Sequence, residues 1–284
     1  MSNIINRITI ICILATGLLC GYVIPADELN DLEKFRLKGK VRSVMETKYE
    51  VIDKSDKSTG NTIIYQKLLL FDPYGYLQEK TIFNGGTEYL VSRFISGPDG
   101  KQYEMNEVRQ DGTLNLNVTY TYDEKGLRTE AVYNWSEDRL LGEVCEMYDY
   151  YFEILQNGIF NRVRYQYEYR GYCIEESYFK PDSSLSFMIT SKYDFRGNRL
   201  ESYYFRGNEM TSWVTKYKYD RYDNLIESRV FKSNRIAVQS EYKYQFDFAG
   251  NWVSRKEDRE VYINILTAGL NQSDMVTERI IEYY

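Results

Sequence analysis

Seven aspartates follow directly on an aromatic residue, at Phe71-Asp72, Tyr122-Asp123, Tyr148-Asp149, Tyr193-Asp194, Tyr219-Asp220, Tyr222-Asp223 and Phe246-Asp247. Carboxylates recurring in polar turns could hold a hard cation such as calcium through their oxygens. The spacing points to another use. No stretch carries the dense Asp-x-Asp-x-Asp-Gly ligand run, and Asp220-Arg221-Tyr222-Asp223-Asn224 comes nearest. A turn aspartate serves instead as an acceptor for backbone N–H groups two or three residues further on. Asp72, Asp123, Asp194, Asp220 and Asp247 are therefore read as turn formers, and neither a metal nor a cofactor is expected.

The remaining candidates for chemistry are few. The chain has no histidine, which excludes Ser-His-Asp and Cys-His nucleophile systems, His-bearing zinc sites and imidazole switches. A glycosidase needs only two carboxyls, and Glu137-Asp138, Glu175-Glu176 and Glu278 with Glu282 are pairs of that kind. Solvated strand faces explain them more simply, so no enzyme is expected. Aromatic faces stack on sugar rings, which makes Trp135, Trp213 and Trp252 the side chains to consider for ligand binding. Lys plus Arg number 36 against 42 Asp plus Glu, an acidic balance that argues against a nucleic-acid partner.

The elements that carry these residues are legible from a repeat. Glycine stands three residues after the aspartate at Gly75, Gly126, Gly197 and Gly250, and Asp223 takes that place after Asp220. With Gly100, Phe152 and Gly171 as degenerate copies, the positions advance by about 26 residues. Alternating runs flank each Asp-to-Gly loop, as in Tyr242-Lys243-Tyr244-Gln245-Phe246 before it and Leu225 to Phe231 after it. Such runs around a short loop predict a β-hairpin, with the glycine supplying the positive φ that closes a type I turn with a bulge. Eight units predict about sixteen antiparallel strands with an aromatic face. The 29 tyrosines and only four prolines fit strands. The fold expected is all-β: an array of antiparallel hairpins forming a long, twisted, curled or spiral sheet.

The ends depart from the rhythm. Ile8 to Cys20 is apolar behind Arg7, the layout of a secretory leader, and residues 1–26 are read as one. Cleavage after Gly17 or Ala26, lipidation of Cys20, and an uncleaved anchor reaching Ile24 all remain open. Residues 27–61 are read as an N-terminal cap strand and polar loop, 62–259 as the hairpin repeats and 260–284 as C-terminal cap strands that blunt the open edges. Cys145 and Cys173 form the one disulfide open to the exported chain.

Phe71-Asp72-Pro73-Tyr74-Gly75-Tyr76-Leu77 and Tyr193-Asp194-Phe195-Arg196-Gly197-Asn198-Arg199-Leu200 resemble the YD repeats of the RHS family, across about residues 62–255. In that family the repeats wall a spiral β-sheet shell around a cargo segment. The resemblance implies a small exported relative, too short to enclose a cargo and similar to short YD-repeat proteins of the bacterial envelope. The function expected is a non-enzymatic scaffold for an envelope protein or glycan, periplasmic, cell-surface or secreted, touching membrane only through its leader. The alternatives are an outer-membrane β-barrel and a carbohydrate-active enzyme.

Overall fold

A computed structural model describes residues 30–51, 62–84, 86–136, 160–206, 209–262 and 271–284. A short helix, α1 (Asp31–Lys34), precedes sixteen strands. They are β1 (Val41–Val51), β2 (Thr62–Phe71), β3 (Leu77–Asn84), β4 (Thr87–Ser96), β5 (Gln102–Arg109) and β6 (Leu114–Tyr122). Next come β7 (Arg128–Trp135), β8 (Arg162–Tyr167), β9 (Cys173–Phe179), β10 (Leu185–Tyr193) and β11 (Arg199–Arg206). The last are β12 (Glu209–Tyr219), β13 (Leu225–Lys232), β14 (Arg235–Phe246), β15 (Trp252–Val261) and β16 (Asn271–Tyr283).

Each strand pairs antiparallel with its sequence neighbours, and β1 pairs with β16, from Val41 opposite Tyr283 to Val51 opposite Asp274. The sheet is therefore a closed barrel and not the open or spiral array expected from the repeat. The first and last strands do not blunt two edges; by pairing with each other they abolish them, the one arrangement that leaves no free ladder. The count of sixteen is also reached differently. Strand β7 pairs directly with β8, through Ala131 opposite Val163, so no hairpin from the copy at Phe152 stands between them in the wall. Phe152 itself lies outside the described residues. Seven hairpins plus β1 and β16 make up the barrel.

Alternation sorts side chains by wall face. Val44, Leu69, Val118, Ala131, Val163, Phe187 and Val230 face inward and are almost wholly withdrawn from water. Rings fill the space between them: Tyr178 stacks on Phe187 at 4.0 Å, and Phe160 meets Tyr178 edge-on at 5.0 Å. At 25 cal/mol per Å², a buried ring of this size contributes on the order of 2–3 kcal/mol.

Candidate functional site

The four Asp-to-Gly reversals and their three degenerate copies, Gly97 to Gly100, Glu168 to Gly171 and Asp220 to Asp223, all lie at one end of the barrel, because each joins an even-numbered strand to the next odd-numbered one. Asp72 Oδ1 accepts from the N–H groups of Tyr74 and Tyr76, both at 2.9 Å, and Asp123, Asp194, Asp220 and Asp247 do the same two and four residues on. Gly75, Gly126, Gly197 and Gly250 have φ between 76° and 90°, and Asp223 takes 67° in the copy without glycine. The strand register shifts at the aromatic before each aspartate, as at Phe71, Tyr122, Tyr193 and Tyr219. Gly197 has a second constraint: a Cβ there would meet the Tyr172 ring of the preceding hairpin at 2.8 Å.

The segment before β1 crosses this mouth from one side to the other. Helix α1 opens on a capping box between Asn30 and Glu33, and its Asp31 accepts from the Leu77 N–H at 2.8 Å and from Gln102 at 3.1 Å. Asn30 also donates to the Tyr74 carbonyl. Arg36, held at φ 55°, reaches the Asn198 side chain at 2.7 Å and the Asp223 carbonyl. Lys38 exchanges two backbone bonds with the Asn251 amide, 2.7 and 2.9 Å long. Asn198 and Asn251 follow the turn glycine in their repeats. That Gly-Asn pairing was visible in the sequence, but its use as a docking point for a distant segment was not.

Inside the wall, where β15, β16, β1 and β2 meet, lies a charged cluster that sequence reasoning missed. Glu46 on β1 accepts from Lys67 of β2 at 2.9 Å, Tyr65 at 2.6 Å and Arg279 of β16 at 2.9 Å. Two residues further along β1, Lys48 reaches Glu257 of β15 at 3.3 Å, and Ser240 donates to the same carboxylate at 2.9 Å. Burial pushes both carboxyls up, but Lys67, Arg279 and Arg255 hold Glu46 well below the usual range, and Lys48, Arg259 and Arg255 hold Glu257 below it. Both are thus anions saturated by cations, with no proton to donate near neutral pH. Parity was the available signal: Glu46 and Lys48 share the inward face with Val44, as Arg255, Glu257 and Arg259 oppose Tyr244, Tyr242 and Ser240.

The outward face is ionic as well, but exposed. Glu201 pairs with Lys192 at 3.0 Å and Lys216 at 3.2 Å on the flanking strands, Glu227 with Lys218 at 3.0 Å, Asp258 with Lys243 at 3.2 Å, and Glu130 with Arg164 at 3.1 Å. Hydrogen bonds from Tyr203 and Lys192, opposed by slight burial, bring the Glu201 carboxyl down to about 2. The lysine side chains stay wet, Lys243 at 72% and Lys192 at 63% exposure.

The other sequence candidates disperse. Trp135 donates to the Phe160 carbonyl at 3.2 Å, Trp213 packs between two buried clusters under Lys232, and Trp252 lies beneath the Arg279 guanidinium at 3.3 Å. All three are partly buried and contact neighbouring groups of the barrel. Glu175 and Glu176 are consecutive on β9 and face opposite sides, Glu175 bonding Ser177 and Glu176 bonding Tyr178. Glu278 and Glu282 lie on the outward face of β16. Cys173 is buried with a free thiol, whereas Cys145, Cys20, Glu137 and Asp138 lie outside the described residues. Among the described residues no group of three or more His, Cys, Asp or Glu is placed to hold a metal.

No family model matches the chain, and no curated protein matches it in sequence. Among solved structures the barrel is similar to a porin-like protein from Bacteroides uniformis, with TM-score 0.54 and 9% identity, over 86% of this chain and 98% of that one. At that identity the likeness is one of fold. The Photorhabdus luminescens Tc holotoxin pore and a TcdB2-TccC3-Cdc42 complex also align, at TM-scores of 0.31 and 0.32 and 10% identity, covering 77% and 84% of this chain. The chain spans only 15% and 16% of those two proteins. The RHS resemblance thus finds Tc toxin chains among its structural neighbours, in partial alignments that carry no further argument. Barrel closure and the porin-like neighbour agree on a closed barrel fold in place of an open hairpin array.

Proposed function

We propose that the chain is an exported, non-enzymatic β-barrel of the bacterial envelope whose wall faces water, acting as a scaffold or binding module for an envelope protein or glycan. The observation that carries this reading is the cross-strand ion-pair ladder on the outward face, with lysine side chains such as Lys218 60% exposed. A basic residue on the lipid side of a barrel costs about 2–4 kcal/mol at the bilayer midplane, and Lys192, Lys216, Lys218, Arg229 and Lys243 would each bear part of that.

Closure of the wall favours a second reading, the outer-membrane β-barrel, and the porin-like fold neighbour supports it. Expression without residues 1–26 separates the two. A detergent-free monomer with a β spectrum is the outcome expected for the water-facing barrel. Insolubility reversed only by detergent would give the chain to the outer membrane. Retention on envelope glycans without turnover would identify the ligand class, and hydrolysis of a labelled polysaccharide would overturn the non-enzymatic reading.

A further inference from the structure

The two ends of the barrel differ in what their turns present. Tyr74, Tyr169, Phe195, Tyr222 and Phe248 occupy the central turn positions at the Asp-to-Gly end, with exposures of 78%, 94%, 84%, 67% and 93%. Only Ile280, among the large hydrophobics described, is comparably exposed at 68%. At the opposite end, the described turns Asp111-Gly112, Pro181-Asp182-Ser183 and Ser233-Asn234 carry no aromatic side chain, and exposed hydrophobics at that end such as Ile63 and Tyr262 reach only 51% and 42%.

The five rings are not scattered. Following the barrel order from the β8–β9 turn through β10–β11, β12–β13 and β14–β15, past the β16–β1 junction to β2–β3, they occupy successive turns of one arc. Two strands separate neighbouring tips from Tyr169 to Phe248, about 10 Å at ordinary strand spacing, and four separate Phe248 from Tyr74, about 20 Å. Rings that far apart on separate tips do not converge on one sugar; they fit an extended, flat surface. Aromatic side chains with an apolar body and, in Tyr, a polar edge favour the headgroup layer of a bilayer.

The chain itself supplies the second observation. Asn30, the first described residue, lies inside the arc, its side chain bonded to the Tyr74 carbonyl at 2.9 Å. The apolar run ending at Ile24 is therefore joined to this end by six residues, which span at most about 20 Å, and Cys20 by ten, at most about 35 Å. A leader retained in the membrane, by its apolar run or by a lipid on Cys20, would hold this end and no other against the bilayer.

We propose that the Asp-to-Gly end of the barrel docks on a phospholipid bilayer, with Tyr74, Tyr169, Phe195, Tyr222 and Phe248 seated among the headgroups. The inference rests on the water-facing wall argued above. Oδ1 of each turn aspartate is held by backbone N–H groups within its own turn, and the carboxylates stay charged, so the docking rests on the exposed rings.

Single tryptophan substitutions in the full chain, bound to phosphatidylethanolamine–phosphatidylglycerol vesicles with brominated acyl chains, test it. Phe248→Trp and Tyr74→Trp report the tips, Glu241→Trp the outward wall and Arg235→Trp the opposite end. Trp135, Trp213 and Trp252 are a common inward background. The tip variants are expected to lose emission to the bromines and shift to shorter wavelength, while Glu241→Trp and Arg235→Trp stay at background. Quenching of Glu241→Trp as strong as that of the tips would place the wall in lipid and sink the water-facing barrel itself. Background quenching at every position would leave that barrel standing and overturn the docking. A tip emission shift on peptidoglycan fragments, with none on vesicles, would overturn it in favour of a glycan rim. A cooperative β-type thermal transition in each variant shows that the fold is intact.

Discussion

Strands β8 to β13 and the junction of β15, β16, β1 and β2 solve the same packing problem with opposite materials. In the first region the inward face is built around one buried cluster of Val163, Tyr178, Phe187 and Tyr204, with Glu176, Arg206 and Lys232 as separate charges on the same face. In the second, that face carries Glu46, Lys48, Lys67, Glu257 and Arg279 in direct ion pairs. The difference follows from how register is set. From β8 to β13 each pairing is pinned by a tight turn, so packing needs only to be well filled. Strands β1 and β16 are joined by no turn, and Glu46 meets Arg279 from 233 positions away. Greasy side chains would tolerate a slip of two residues there. A slipped junction would strand buried charges without partners, which makes the ionic choice a costly but discriminating one.

Replacements in both regions give the largest expected effects. Glu46→Leu leaves Lys67 and Arg279 buried without their carboxylate and is expected to cost about 3–5 kcal/mol in urea unfolding. Phe187→Ala, which empties the centre of the aromatic cluster, is expected to cost a similar 3–5 kcal/mol or so, through a cavity. The two losses part company on repair. Combining Glu46→Leu with Lys67→Met and Arg279→Leu removes the unpaired charges and should recover most of the stability, leaving several closing registers visible as doubled amide resonances for β1. A single sharp set of resonances would show that the ions do not set register.

Acid sharpens the contrast further. A carboxylate held below its unfolded value stabilises the fold fully above that value, and the gain fades as pH falls toward the folded one. Glu46 and Glu257 are both held below the usual 4.5, so the urea midpoint should drop as pH falls below about 4.5. The triple replacement should remove the Glu46 part of that dependence and leave the Glu257 part, and Phe187→Ala should leave both.

Smaller effects lie in the turns and on the outer wall. Gly197→Ala forces a side chain into φ 83° and against Tyr172, for an expected loss of about 1–3 kcal/mol. Lys243→Ala removes an exposed partner of Asp258 and should change the unfolding midpoint by less than about 0.5 kcal/mol in equivalent stability. A large effect there would mean that outward pairs, too, hold the barrel together.

The amino-acid sequence alone determined what is local: the hairpin period, the aspartate and glycine that reverse the chain, and the alternation that gives every strand an aromatic side. Each depends on residues within about a dozen positions, so composition and spacing expose it. Closure, the mouth-crossing segment and the buried ion cluster were decided only by the tertiary structure. Arg36 with Asn198, Lys38 with Asn251, and Glu46 with Arg279 are distant pairs. A charged residue on an apolar face gives no sign of which partner will neutralise it until the first strand has found the last.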